Sequence, residues 1–340
     1  MTQLFLYLIL IVVSTAVVWQ GSFILEDAAD HLSTYYRLPP IVQGAVVTAI
    51  GSSFPELSST VIATLVHGKF ELGVAAIIGS AIFNILVIPG LSGILGQPLV
   101  ADRILVYKDA QFYITSVTVL LLTFAFALIY NPVEGVQWQG MITRPIALIP
   151  IALYGLYLFL QYEDTAEHEV EDNPDSTIQV GKQWLLLLLS LALIVGGVEG
   201  LVRSSIALGN ILGTPTFLWG VTVIAAATSL PDAFVSIRAA RLGQSMVSLA
   251  NVLGSNIFDL LIAIPIGVLL GGASVVNFSV AVPMMGFLIL ATIVLFASLR
   301  RGLILTKFES WVLLILYIAF LAWMALETVG ITSLVFDQVQ

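Results

Sequence analysis

One run of about twenty apolar residues follows another along this chain, and the polar breaks between them are short. A helix that crosses a bilayer needs roughly 20 such residues, so this pattern constrains the fold more than any single motif does. Marking the runs gives ten candidate spans, near 3–25, 41–65, 72–95, 110–130, 143–161, 183–202, 215–240, 246–270, 279–299 and 309–329. Composition agrees, with 59% hydrophobic residues, 10% charged residues and a mean hydropathy of +1.04. A soluble domain carries about 25% charged residues. The expected fold is therefore an all-α integral membrane protein with the lipid bilayer as its main partner. The apolar start, Leu4–Val18, has no basic n-region and no small-residue cleavage site, so it reads as the first span and not as a signal peptide.

Charge orders these spans. Seven of the 21 acids fall in one stretch, Glu163, Asp164, Glu167, Glu169, Glu171, Asp172 and Asp175, and the remaining 14 acids nearly balance 12 basic residues. Nothing suggests a nucleic-acid surface, and no obligate protein partner is evident. With no cysteine, disulfides, thiolate nucleophiles and Cys-ligated zinc are excluded. The connections after odd-numbered spans hold Arg37, Arg103, Lys108, Lys182, Arg238, Arg241, Arg300, Arg301 and Lys307. Those after even-numbered spans hold only Lys69, Arg144 and Arg203. By the positive-inside rule both termini lie outside and the acidic stretch is cytoplasmic, most simply in a plasma membrane. That stretch, residues 162–182, divides the chain into halves of five spans, 1–161 and 183–340. An odd number of spans per half means that related halves would insert with opposite topology, the inverted-repeat plan of many secondary transporters.

The halves are related. GAVVTAIGSSFPE (Gly44–Glu56) matches GVTVIAAATSLPD (Gly220–Asp232) at an offset of 176, with Pro39 and Pro215 also in step. GSAIFNIL (Gly79–Leu86) matches GSNIFDLL (Gly254–Leu261) at an offset of 175. Ser52, Ser53 and Glu56 recur as Thr228, Ser229 and Asp232, while Ser80 and Asn84 recur as Ser255 and Asp259. At i, i+4 spacing these residues share helix faces. Pro55 and Pro231 precede the acids and free backbone carbonyls about a turn earlier, near Ala49 and Ala225. Carboxylates, hydroxyls and carbonyls make an all-oxygen set of the kind hard cations such as Ca2+ and Na+ prefer. An ionised acid at the centre of a membrane helix costs roughly 2.5–3.5 kcal/mol. No Lys or Arg lies near the acids within those spans, so a mobile cation is the simplest counter-charge.

These paired motifs resemble those of the calcium/cation antiporter superfamily, and especially its sodium/calcium exchangers. The resemblance implies that the motif helices of both halves meet at mid-membrane. By motif position it makes Glu56 and Asp232 the principal Ca2+ carboxylates, with oxygens added by Ser52, Thr228 and the Ala49 and Ala225 carbonyls. It assigns Ser53, Ser229, Ser80 and Ser255 to flanking Na+ sites, with Asn84 and Asp259 between them. It also implies exchange by alternating access, with spans one and six sliding over the other eight, and no cofactor beyond the transported ions. Two residues depart from the common prokaryotic pattern: Asp232 replaces Glu, and Ala81 replaces Asn. ATSLPD and GSNIFD look more like the potassium-dependent branch, where the acid at the Asp259 position is tied to K+ use.

The residues leave competing readings open. A proton/Ca2+ antiporter, or one for another divalent metal, would use the same oxygens. An intramembrane aspartyl protease would need two acids in contact, but G-x-G-D, H-E-x-x-H and G-x-S-x-G are all absent. A passive channel would leave the two related halves unexplained. Glu199, flanked by glycines at the end of span six, reads as a structural hydrogen-bonding acid. His31, His67 and His168 fall in loops, and the acidic stretch reads as a solvated linker.

Overall fold

The structure, a computed structural model, describes residues 2–36, 49–165, 179–329 and 331–332. The Gly44–Thr48 part of the first motif, Pro39, His168 and most of the acidic stretch lie outside these residues. Among the described residues, nine helices are long and apolar enough to cross a membrane. They are α1 (Thr2–Tyr35), α4 (Phe70–Leu95), α5 (Ala110–Tyr130, led by a π-helical turn from Leu105), α6 (Arg144–Thr165), α7 (Val180–Leu212), and α8 (Thr216–Trp219) running on into α9 (Ala225–Arg241). The rest are α10 (Ser245–Phe258) running on into α11 (Ile264–Gly271), α12 (Phe278–Arg300) and α13 (Lys307–Thr328). The second expected span contributes α2 (Ala49–Ser52) and α3 (Phe54–Leu65).

Two helices outrun their expected limits. α1 continues ten residues past Leu25, and α7 ends only at Gly213, whose left-handed φ of 65° closes it. Glu26, Asp27 and Asp30 end the apolar run but not the helix, because neither Pro nor Gly follows them. The two long helices lie against each other antiparallel. A Cβ at Gly21 would come within 2.8 Å of Ile194, and one at Gly197 within 2.8 Å of Val18. Small residues let their backbones approach in this way. Their other faces carry exposed Phe5, Val12, Leu185 and Leu188, as a surface against lipid tails should.

α4 sits at the centre, and its whole apolar stretch is buried. Gly79 is where α4 comes nearest the backbone of another segment, because a Cβ there would run into the Val221 carbonyl and lie 2.8 Å from the Ala225 methyl. Two small antiparallel sheets tie the halves together at the membrane surfaces. β1 (Leu99–Val100) pairs with β4 (Ile304–Leu305), and β2 (Gln139–Ile142) with β3 (Ser274–Asn277). The connections after the third and ninth spans therefore share one face, and those after the fourth and eighth share the other. Periodicity did not reveal these strands, since two to four residues are too few to show it. Arg103, Lys108, Arg300, Arg301 and Lys307 surround the first sheet, and Arg300 stacks 5.7 Å over the Tyr107 ring. Arg144 and Lys69 are the basic residues near the second among the described residues.

Gly79→Ala should lower stability by about 1–3 kcal/mol, the usual cost of overpacking. Gly196→Ala, with open space around it, should be neutral or stabilise by up to about 1 kcal/mol; thermal unfolding in detergent separates the two. In this cysteine-free chain a V100C/I304C pair, directly opposite in the register, should oxidise readily. Opposed antiparallel Cα atoms are about 4.5–5.5 Å apart, within disulfide range. After cleavage inside residues 166–178 the halves should stay linked until reduced, and fragments that separate without reductant would contradict the pairing.

Candidate cation-binding site

Irregular backbone places the motif residues. α2 ends at Ser52, and Ser53 (φ −91°, ψ 6°) interrupts the helix. Pro55 then takes the first turn of α3, where its missing N–H leaves no gap in the ladder. In the other half a π-helical turn, Gly220–Ile224, leads into α9, which continues through Pro231. A second π-helical turn, Asp259–Ala263, begins at Asp259 itself. Such turns leave the helical ladder irregular, and they recur at functional sites.

These segments converge on α4 and on each other, and their contacts cross between halves. The Ser53 and Ser255 hydroxyls lie 2.8 Å apart, and the Ser80 and Ser229 hydroxyls 2.7 Å apart. Ser255 donates to Asp232 Oδ2 at 2.6 Å, and Ser80 to Glu56 Oε1 at 3.4 Å. Ser229 also donates to Glu56 Oε1, at 3.4 Å. Ser52 sits against Asp232 and Thr228 against Glu56, each hydroxyl serving the acid of the opposite half. The shared face of Ser52 and Glu56 does not persist, because the break at Ser53 turns Ser52 towards its counterpart's acid. Asn84 donates to Asp232 Oδ2 at 3.5 Å, and Ser53 faces Asp259. Ten of the twelve expected residues thus form one buried cluster, with Glu56 and Asp232 each 1% exposed and Asp259 fully buried.

The other two, Ala49 and Ala225, were expected to offer carbonyls. Ala49 opens α2, while the Ala225 carbonyl accepts the Thr228 hydroxyl at 3.3 Å. The carbonyls that a proline leaves without a donor are those four residues before it, Gly51 and Ala227, so the proline argument points two residues further along than Ala49 and Ala225.

Carboxylates dominate the electrostatics. Glu56, Asp232 and Asp259 repel one another, and among the described residues no Lys or Arg pairs with them. Glu56 Oε2, Asp232 Oδ1, both Asp259 oxygens and Asn84 Oδ1 have no hydrogen-bond donor among those residues. Each is a buried acceptor that costs about 1–3 kcal/mol while unmatched. No three His, Cys, Asp or Glu side chains of the described residues gather closely enough to hold a metal ion by themselves, so a cation here would draw on hydroxyl, amide and carbonyl oxygens as well.

Sequence reasoning missed three features. Asn256 accepts from Asn84 at 3.0 Å and donates at 3.2 Å to both the Ala81 carbonyl and the Tyr113 hydroxyl. It stands at the repeat position of Ala81, and that asymmetry was the signal available. Glu26, just past the first apolar run, lies near Asp232. Glu199, expected as a structural hydrogen-bonding acid, has His67 as its partner, Nε2 to Oε2 at 2.9 Å, just past the end of α3; the loop position of His67 concealed which partner it would be.

Comparison with known proteins matches the same architecture. The family described as "Sodium/calcium exchanger protein" matches residues 6–163 and 182–326. The sodium/calcium exchanger MaX1 of Methanosarcina acetivorans is 26% identical over 340 aligned residues, covering 89% of this chain and 93% of that one. The sodium-calcium exchanger NCX_Mj superposes with a TM-score of 0.61 at 24% identity, covering 94% of this chain and 99% of the other. An H+/Ca2+ exchanger, CAX, superposes with a TM-score of 0.73 at 18% identity, covering 93% and 82%. These two superpositions speak for the fold alone. The family is one of transporters, which sets the intramembrane enzyme aside. With both motif regions and nearly all the spans inside the match, this chain is an integral membrane protein that belongs to the sodium/calcium exchanger family.

Proposed function

We propose that the chain exchanges Ca2+ for Na+ across a membrane by alternating access. The carrying observation is the set of buried carboxylate oxygens without donors, Glu56 Oε2 and Asp232 Oδ1, each beside a hydroxyl from the opposite half. Ca2+ takes 6–8 oxygens. Glu56 and Asp232 would supply the charge, with Ser52, Thr228 and the carbonyls near Ala49 and Ala225 completing the shell. Ser53, Ser80, Ser229 and Ser255, paired across the halves, would hold Na+ beside it, with Asn84 and Asp259 between. Each serine pair shares oxygens with a carboxylate, so Na+ and Ca2+ would compete and one would release the other.

The two halves, 1–161 and 183–340, are read as inverted repeats joined by the acidic 162–182 linker. Their contacts support this, since Gly21 packs on Ser190 and Ile194 while Gly197 packs on Ser14 and Val18. Those pairs are related by the offset of 176 found in the motifs. The basic residues near the β1–β4 sheet support reading that face as cytoplasmic, with both termini outside a plasma membrane. α1 and α7, long and packed chiefly on each other, are the elements free to slide.

Proteoliposomes with Na+, K+ and H+ gradients imposed separately test the coupling ion. An outward Na+ gradient should drive 45Ca2+ uptake, whereas uptake that follows only a pH gradient would replace Na+ by H+. A requirement for K+ on the Ca2+ side would add K+ to the cycle through Asp259. Glu56→Ala and Asp232→Ala should each reduce uptake about 100-fold or more, since removing a charged partner from a buried site costs roughly 2–5 kcal/mol. Uptake retained in either variant rejects the assigned site.

A further inference from the structure

α1 carries a polar stripe that the exchange site leaves unused. Trp19, Ser22 and Glu26 stand at i, i+3 and i+7, on one side of the helix. Among the described residues, Trp19 Nε1, Ser22 Oγ and Glu26 Oε1 are all buried without a hydrogen-bond partner. Ser22 is fully buried, yet it does not turn back to its own helix as Thr15 does towards the Ile11 carbonyl. The Gly21 and Val18 side of α1 faces α7, and Ser22 lies at the edge of that side, while Trp19 and Glu26 turn towards the motif helices. The Trp19 ring stacks on Phe234 of α9, with centroids 4.2 Å apart. Glu26 Cγ lies 4.0 Å from where a Cβ on Gly51 would stand, one residue before Ser52. Asp232 is the charged group whose field Glu26 feels.

We infer that Glu26, with Ser22, forms an additional cation site between α1 and the α2–α9 pair, through which a hard cation passes on its way to Asp232. This rests on the exchange reading and deepens it. A carboxylate oxygen and a hydroxyl one helical turn apart, buried and without a partner among the described residues, are acceptors that a partly hydrated Ca2+ or Na+ would satisfy. The stripe belongs to the C-terminal half of α1, towards the face at which α1 ends, and Glu26 lies beside Gly51 of α2. The site therefore lies on one side of the Glu56–Asp232 cluster, not within it. It also has no twin. The repeat offset of 176 carries Glu26 onto Val202 and Ser22 onto Val198, so only one of the two access routes holds this carboxylate. A charge there would raise the local cation concentration and hand the ion to the Asp232 oxygens as α1 moves.

The asymmetry gives the test. Ca2+ uptake is measured in vesicles of each sidedness, driven by whichever gradient, Na+ or H+, works for the unaltered chain. Glu26→Gln should raise the KM for Ca2+ presented at the face where α1 ends by about tenfold, as expected for losing one nearby charge. KM at the opposite face should stay within about twofold. Glu26→Asp should restore most of the difference, and Ser22→Ala should shift the same KM in the same direction, which also serves if Glu26→Gln does not assemble. A KM unchanged at both faces, or raised equally at both, overturns the proposal. Absence of Na+-driven uptake by the unaltered chain contradicts the exchange reading and leaves the Glu26 outcome to be read under the H+ gradient; no uptake under either overturns both.

Discussion

Three carboxylates buried at the meeting point of the two halves, with no fixed positive charge beside them, are the constraint around which the rest of this molecule is arranged. In a medium of low dielectric, an ionised acid without a partner is among the costliest groups a protein can hold. Glu56, Asp232 and Asp259 share one cluster, and several of their oxygens have no donor among the described residues. A structure that tolerates this is poised to take up charge from outside. Hydroxyls at Ser52, Thr228, Ser80 and Ser255 soften the desolvation without neutralising it, as a site that must release its ion requires.

The scaffold follows from that need. Holding such groups in place takes a rigid surround, which α4 supplies: its apolar stretch is wholly buried, and Gly79 brings it against the backbone of the turn preceding α9. The sheets at each face lock strands of one half to strands of the other, so the cluster cannot open by the halves simply parting. α1 and α7 pack mainly on each other and present Phe5 and Leu185 outward to lipid. The pair also shares an apolar core with α3, α4 and α9, through Ile62, Leu72, Ala76 and Ala227. It touches the rest of the molecule through polar groups at Glu26 and at His67–Glu199, where small movements would have large electrostatic effects.

Much of this was legible in the residues. Apolar runs located the spans because lipid allows few alternatives to a helix, and the repeat offsets of 176 and 175 picked out the same acids and hydroxyls that the fold gathers into one buried cluster. What escaped was of three kinds. The ends of α1 and α7 were lost because Glu26, Asp27 and Asp30 in α1, and Arg203, Ser204 and Ser205 in α7, interrupt hydrophobicity without interrupting hydrogen bonding. The partners across halves, Ser52 to Asp232 and Thr228 to Glu56, were lost because periodicity describes neighbours on one helix and is silent about another. Asn256 and His67 were lost because a polar residue in a motif, or in a loop, has no visible partner until the fold supplies one.

The most direct measurement is equilibrium binding of 45Ca2+ to the purified protein in detergent, with Na+ added as competitor and the Glu56→Gln variant alongside. If cations share the buried oxygens, Na+ will displace bound Ca2+ to completion, and the variant will bind little of either. Ca2+ that stays bound at saturating Na+, or binds equally well without the Glu56 carboxylate, would contradict the account.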